Sequence, residues 1–332
     1  MFMSFYCRSV PQRHGPTEAR ICEEKFPKFI VFFAALIIDK KIGVHLAMFA
    51  VALFYAANYS IAKWAMPQFI TPFAFITLRV GVGALLFGLY YLLFSREKIQ
   101  NKQDYIDLAI CAFFGVALNM LAFFKGLSLT SSINASVLML LSPIMVVLYT
   151  AVGTRTWVKS RVIIGIFISF TGAAFLVNIG SFDFISDGFK GDLLIMLNAS
   201  SFAFHLYYVA RLLKKYKATT VTAFMFMIGF VFVLPIGFTE FVATDWTAFT
   251  NKAIFSLVFV VIFVTILNYI LNVWAVQNSS STQAGSYIYL QPLLATLIAV
   301  ALGMDVLTPS KAAYGLLIVA GLYLVNKGRV KG

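Results

Sequence analysis

Long apolar blocks separated by short polar stretches run along the chain from about residue 42 almost to its end. A helix rises about 1.5 Å per residue, so roughly 20 apolar residues cross a hydrocarbon core of roughly 30 Å. Ten blocks reach or approach that length and predict transmembrane helices over Val44 to Trp64, Thr71 to Phe94, Tyr105 to Phe124, Ser132 to Thr150, Val162 to Ile179, Asp192 to Ala210, Thr220 to Phe241, Ile254 to Val276, Thr282 to Gly303 and Ser310 to Val325. Residues 1 to 41 fall outside this pattern. Their apolar run, Phe29 to Ile38, is too short to span and is flanked by Lys28 and by Asp39, Lys40 and Lys41. Cleavage there as a signal peptide would leave Lys40 and Lys41 outside, against the charge pattern below. The segment reads as a basic cytoplasmic tail, disordered or interfacial, and an extension upstream of a start near Lys40 remains an alternative.

Composition agrees with lipid as the main solvent. Of 332 residues 61% are apolar and 12% charged, and the mean hydropathy is +0.89, too little polar surface to wrap a soluble globule. The net charge of +13 changes the picture only through its distribution. If helix one leaves the cytoplasm, 20 of the 26 Lys and Arg residues fall on inner segments, including Arg96, Lys98, Arg155, Lys159, Lys214, Lys215 and the basic tail 327–332. The outer ends hold only Lys63, Lys125, Lys190, Lys252 and Lys311. Basic residues in short loops are retained inside, which predicts a multi-pass protein of the cytoplasmic (inner) membrane with both termini cytoplasmic. The charge therefore reports orientation and implies no nucleic acid. Cys7, Cys22 and Cys111 are scattered without metal or disulfide spacing, so no metal and no cofactor is expected.

The chain also repeats itself. A shift of 149 residues places Phe114 on Phe263, Leu118 on Leu267, Asn119 on Asn268, Ser131 and Ser132 on Ser280 and Ser281, Ala135 on Ala284, Leu141 on Leu290, Pro143 on Pro292 and Gly172 on Gly321. A shift of 148 continues the match with Gly43 on Gly191, Met48 on Met196, Tyr59 on Tyr207 and Leu176-Val177-Asn178 on Leu324-Val325-Asn326. The order of these matches through two helix pairs is the signal. Each half, 42–180 and 190–326, holds five predicted helices. Five is odd, so the second half enters the membrane upside down. The expected fold is an all-α integral membrane protein of ten transmembrane helices in two inverted five-helix repeats, a plan that lets two similar halves expose a midplane site to alternate faces.

On these features the chain resembles the EamA-type branch of the drug/metabolite transporter superfamily over residues 42 to 326. The resemblance rests on Asn58-Tyr59-Ser60-Ile61-Ala62-Lys63 closing helix one, Pro72 and Thr77-Leu78-Arg79 in helix two, Ala135 to Pro143 and Ala284 to Pro292 in helices four and nine, and the segments at Gly172 and Gly321. It implies a single transport domain that exports amino acids, other metabolites or drugs, with helices five and ten at a homodimer contact.

Several residues are candidates for the transport path. Pro143 and Pro292 each remove a backbone hydrogen bond and clash with the carbonyl four residues earlier, on Met139 and Ile288, which predicts kinks that serve either as static bends or as hinges. Arg79 lies about two turns inside helix two. It either snorkels to headgroups or loop carbonyls, or faces a cavity where the solute supplies the missing anion. Asn58 with Tyr55 or Tyr59, Asn268 with Asn272, and Tyr287 with Gln291 each share a helical face, and with Asn119, Ser142 and Trp274 they are the cavity-lining, substrate-binding candidates; helix-to-helix hydrogen bonding is the competing explanation for each. His205 is the candidate for proton coupling, against a packing histidine. The glycines Gly81, Gly83, Gly165, Gly172, Gly315 and Gly321 read as close helix packing, within the bundle or at a dimer face.

Two function classes compete. A secondary transporter of small metabolites, most simply an exporter, fits the inverted repeat. An integral membrane enzyme acting on a lipid or lipid-linked substrate would need a nucleophile, a metal cluster or a carboxylate pair, and Asp183 and Asp187 stand in a loop without histidine. The expectation is a non-enzymatic carrier whose partners are a small-molecule solute and membrane lipid.

Overall fold

The computed structural model describes residues 40–95, 97–155, 157, 159–176, 186–277, 287 and 290–329. Outside them lie most of the basic tail, the end of predicted helix five, the start of predicted helix nine with Ala284 and Tyr289, and residues 330–332. Every regular element among the described residues is helical. Seven helices are long and apolar enough to cross a membrane: α1 (Gly43–Trp64), α2 (Pro72–Ser95), α3 (Lys102–Leu129), α4 (Ser132–Thr154), α6 (Asp187–Lys214), α7 (Ala218–Val242) and α8 (Asn251–Asn272). Three shorter apolar helices complete the set: α5 (Ser160–Leu176), α9 (Leu290–Ala301) and α10 (Pro309–Val325). α8 continues as helix to Gln277.

The helix starts follow local chemistry. Thr71 caps α2 by accepting from the Ala74 amide at 3.3 Å, and Pro72 occupies the first turn, where its missing N–H is not needed. Ser131 caps α4 and Thr250 caps α8 in the same way. α6 begins at Asp187, capped by Ser186, ahead of the sequence boundary at Asp192, so the Asp192 carboxylate lies inside the helix and is buried. Apolar side chains face outward in rows, as on Leu85, Leu89, Leu92 and Leu93 of α2 or Ile163, Ile164 and Phe167 of α5, while buried polar groups face the bundle. This is the distribution expected in lipid.

Packing obeys a two-fold exchange of halves. α1 lies against α8 and α9, and its mate α6 lies against α3 and α4. α2 contacts α8 as α7 contacts α3, while the pairs α2–α7, α4–α9 and α5–α10 each map onto themselves. At the α5–α10 crossing a Cβ on Gly165 would stand 2.5 Å from the Gly321 carbonyl oxygen, so two backbones meet where only glycine fits. Gly172 packs on Tyr314, Gly81 on Phe230, Gly83 on Phe226 and Gly315 on Val137, so all six glycines of the sequence reading serve contacts within the chain.

Three departures from regular helix matter for the interior. α3 widens to a π-helical turn over Phe113–Ala117, and α8 does so over Phe259–Leu267. Adding 149 to the first range gives 262–266, inside the second, so both halves carry the same bulge. The helix of α4 breaks between Leu138 and Leu141. Pro143 has no N–H for the Met139 carbonyl, which accepts from the Ser142 amide at 3.1 Å instead. Pro292 sits in the first turn of α9 as described, and Ile288, which it would crowd, lies outside the described residues. Pro235, within α7, is a further helix proline that the repeat did not single out.

Candidate functional site

A cavity of about 210 Å³ lies between the halves, lined by α1, α2, α3, α4, α6, α7, α8 and the first turn of α9. Both π-helical turns form its wall. Gly115 and Val116 of α3 and their repeat mates Val264 and Thr265 of α8 all line it. A π turn leaves carbonyls without the usual partner four residues on. On α8 the Thr265 hydroxyl donates to the Val260 carbonyl five residues back at 3.0 Å, which keeps its oxygen facing inward as an acceptor.

That acceptor holds Arg79. Its Nε donates to Thr265 Oγ1 at 2.8 Å, and its guanidinium carbon stands 5.4 Å from the centroid of the Phe124 ring. Arg79 is 8% exposed and lines the cavity, so its stem runs inward instead of snorkelling to a headgroup. Among the described residues the Thr265 hydroxyl is the one hydrogen-bond partner of the guanidinium. Among the described residues no carboxylate lines the cavity, and the lining supplies one guanidinium together with amides, hydroxyls, thioethers, rings and aliphatic groups.

Asn58, Tyr59, Asn119, Asn272 and Gln291 line the same cavity as Arg79. Asn119 is tied to Asn198 of α6 by reciprocal bonds: Asn198 Nδ2 donates to the Asn119 carbonyl at 2.7 Å and Asn119 Nδ2 to the Asn198 carbonyl at 3.3 Å. Among the described residues, Asn58 Oδ1 and Asn198 Oδ1 are buried acceptors with no hydrogen-bond partner. Asn268 is buried beside this wall without lining it.

Trp274 and Tyr287 lie elsewhere, covering Val44, Ala47, Met48 and Ala275 together with Leu271, with the Tyr287 hydroxyl 2.7 Å from His45 Nδ1. His205 stands behind the cavity wall. It is fully buried, near-parallel to the Phe202 ring at 6.4 Å, and so close to Gly115 that a Cβ there would fall 2.4 Å from Nδ1. Thr265, Asn198 and Tyr269 are lining residues that sequence reasoning missed. The 149-residue shift pairs Thr265 with Val116, so the repeat gave no polar match to flag it.

At one end of the lining stands a cluster of polar contacts, of which those of Asp192 and Asp305 join the two halves. Beyond Tyr59, whose carbonyl accepts from Ser132 Oγ at 2.8 Å, Lys63 donates to the Thr130 carbonyl. Thr130 Oγ1 donates to Asp192, which also accepts from Asn134 Nδ2 at 3.1 Å. Asp305 accepts from the Ile133 amide at 3.0 Å and from Lys311 at 2.8 Å. Burial works against the Asp305 carboxylate, but the bonds from Lys311, the Ile133 amide and Ser131 prevail and hold its pKa below the usual range. In the opposite direction the lining continues through Val209, Leu213, Ala218, Val221 and Thr222, to the turn at residues 215–217.

A model of the EamA-like transporter family matches residues 42–178 and again 189–327. The chain belongs to the EamA-like transporter family. Two matched copies agree with the exchange symmetry of the packing, and the all-helical inverted-repeat architecture follows. This EamA-like chain is 26% identical over 283 residues to an uncharacterized transporter of Archaeoglobus fulgidus, covering 85% of this chain and 96% of that one. It is 22% identical over 304 residues to the uncharacterized transporter YyaM of Bacillus subtilis, covering 88% and 98%. It is 24% identical over 285 residues to the uncharacterized inner membrane transporter YicL of Salmonella typhimurium, covering 83% and 92%. A solved crystal structure superposes with a TM-score of 0.54 over 87% of this chain and 99% of its own at 18% identity, which shows a shared fold. The EamA-like chain is accordingly a multi-pass membrane protein of a transporter family.

Proposed function

We propose that this protein is a secondary carrier that exports a small solute across the cytoplasmic membrane by alternating access, with both termini inside. One observation carries the reading: a cavity walled by repeat-related positions, Gly115 with Val264 and Val116 with Thr265, sits between halves that map onto each other by exchange. Such halves swap conformations at low cost because each already contains the other's arrangement. Asn58, Tyr59, Arg79, Asn119, Asn272 and Gln291 are the proposed solute contacts, and the break in α4 at Pro143 with its mate Pro292 the proposed hinges. The distribution of basic segments supports an orientation with the Asp192 and Asp305 end outside and the 215–217 turn inside.

The test is purified protein in liposomes, screened for counterflow of amino acids and related metabolites with and without a pH gradient. Saturable, protein-dependent exchange is expected. Absence of exchange with appearance of a chemical product would assign a membrane enzyme instead. If exchange responds to the gradient, replacing His205 with Gln reads its part in coupling.

A further inference from the structure

We propose that the solute is carried as a small organic anion, its carboxylate or equivalent acid group on Arg79 and its apolar body against the aromatic wall. The inference deepens the transport reading and rests on it. A guanidinium is always charged and offers five donors. Arg79 spends Nε on the neutral Thr265 hydroxyl and has its charge faced by the Phe124 ring, and neither neutralises it. Among the described residues the cavity lining brings no carboxylate to it. A positive charge held in a low-dielectric interior is costly unless paired, and among the described residues the guanidinium has no anionic partner. The cavity itself is where the pairing group has room to sit.

The remaining lining fits the other end of such a solute. Tyr55, Phe87, Phe123, Phe202 and Phe226 make the lining rich in aromatic residues. The unpartnered side-chain oxygens Asn58 Oδ1 and Asn198 Oδ1 would accept from a hydroxyl or N–H on the solute. A cation meets repulsion from Arg79 and finds no acidic residue among the described lining residues, and a neutral amide leaves Arg79 unpaired. Discrimination by charge is therefore expected to be steep, as in other sites that leave a buried polar group unpaired with the wrong ligand.

The experiment is counterflow in liposomes with solutes that share one ring and differ in charge: 3-phenyllactate, its neutral amide 3-phenyllactamide, the zwitterion phenylalanine, and 2-phenylethylammonium. Protein-free liposomes correct for leak. The anion is expected to exchange at least tenfold faster than the amide or the cation, and faster than the zwitterion. Replacing Arg79 with Gln is expected to lower its exchange at least tenfold, with partial recovery in Arg79→Lys. Exchange of the amide, zwitterion or cation at the rate of the anion overturns the inference while transport stands. So does a wider screen in which only neutral or cationic solutes move. Undiminished anion exchange in a well-inserted Arg79→Gln protein overturns it too, and the wild-type charge series decides even if that variant fails to insert. If no solute of any charge moves, the transport reading fails and this inference falls with it.

Discussion

The two ends of the bundle share a frame and differ in chemistry. Each end has a joint between α2 and α7 and their neighbouring turns. At one end Thr71 donates to Glu240 and the Phe69 and Phe249 rings lie 5.9 Å apart. At the other Lys215 and Tyr216 reach Asp104, the Gln100 amide donates to Tyr216, and Ser95 meets Thr220. Exchange of halves maps one joint onto the other. The sealing contacts of Asp192 and Asp305 have no such double. The residues 148 before Asp192 and 149 before Asp305 are Val44 and Thr156, neither of which can accept as a carboxylate does. On the proposed alternating-access mechanism, an inverted repeat gives two equivalent conformations in outline, and side chains that break the repeat decide which one is occupied at rest.

The largest expected effect comes from removing that asymmetry. Hydrogen bonds to charged groups contribute about 1.5 to 3 kcal/mol each, and about 1.4 kcal/mol is a factor of ten in population. Asp192→Asn with Asp305→Asn is therefore expected to open the sealed end in at least ten times more molecules. The readout is thiol labelling of a cysteine replacing Ala135, which is fully buried there. Unchanged labelling would show that the seal is held by packing alone.

A second substitution probes the shared frame. Gly165→Val would press a side chain into the Gly321 carbonyl, 2.5 Å from the new Cβ. Overpacking costs about 1 to 3 kcal/mol. The melting temperature is expected to fall while the order of labelling at the two ends stays as in the wild type. A reversed order would place the bias in the α5–α10 crossing.

Acidity gives a smaller effect with a definite sign. The Asp305 carboxyl is held below its ordinary value, so its stabilisation is full above the unfolded pKa of about 3.9 and is lost only as pH falls through the lower folded value. Lys311→Gln is thus expected to raise Ala135→Cys labelling by the same factor at pH 8 and at pH 5. A factor that shrinks between those values would contradict the account. The smallest effect is expected at the same end from Lys190→Gln, whose partner Asp187 is 3.7 Å away with both side chains mostly exposed. Labelling and melting temperature should not change measurably.

Much of the fold was legible in sequence because hydropathy and repetition are properties of the chain itself. The ten apolar blocks correspond to ten apolar helices among the described residues, and the matched Asn119 and Asn268 mark the walls where α3 and α8 bulge. The bulges had no signature, since five-residue turns arise from how an apolar helix packs. Facing was also hidden. Trp274 and Asn272 are two residues apart on α8, and Asn272 reaches the cavity while Trp274 covers α1, a difference set by helix rotation that an almost wholly apolar sequence does not encode. The seal joins residues far apart in sequence, such as Ile133 and Asp305, which only the folded arrangement brings together.

The central claim is that one cavity opens to the two faces in turn. The direct measurement uses a background with Cys7, Cys22 and Cys111 replaced, carrying a single cysteine at Ala135 or at Ala218, in nanodiscs where both faces meet a hydrophilic thiol reagent. At rest the cysteine at 218, in the cavity lining, is expected to react and the one at 135, behind the seal, to be protected. Saturating transported solute should slow the first and speed the second. Rates at both positions that ignore the solute and the Asp192→Asn, Asp305→Asn pair alike would contradict alternating access.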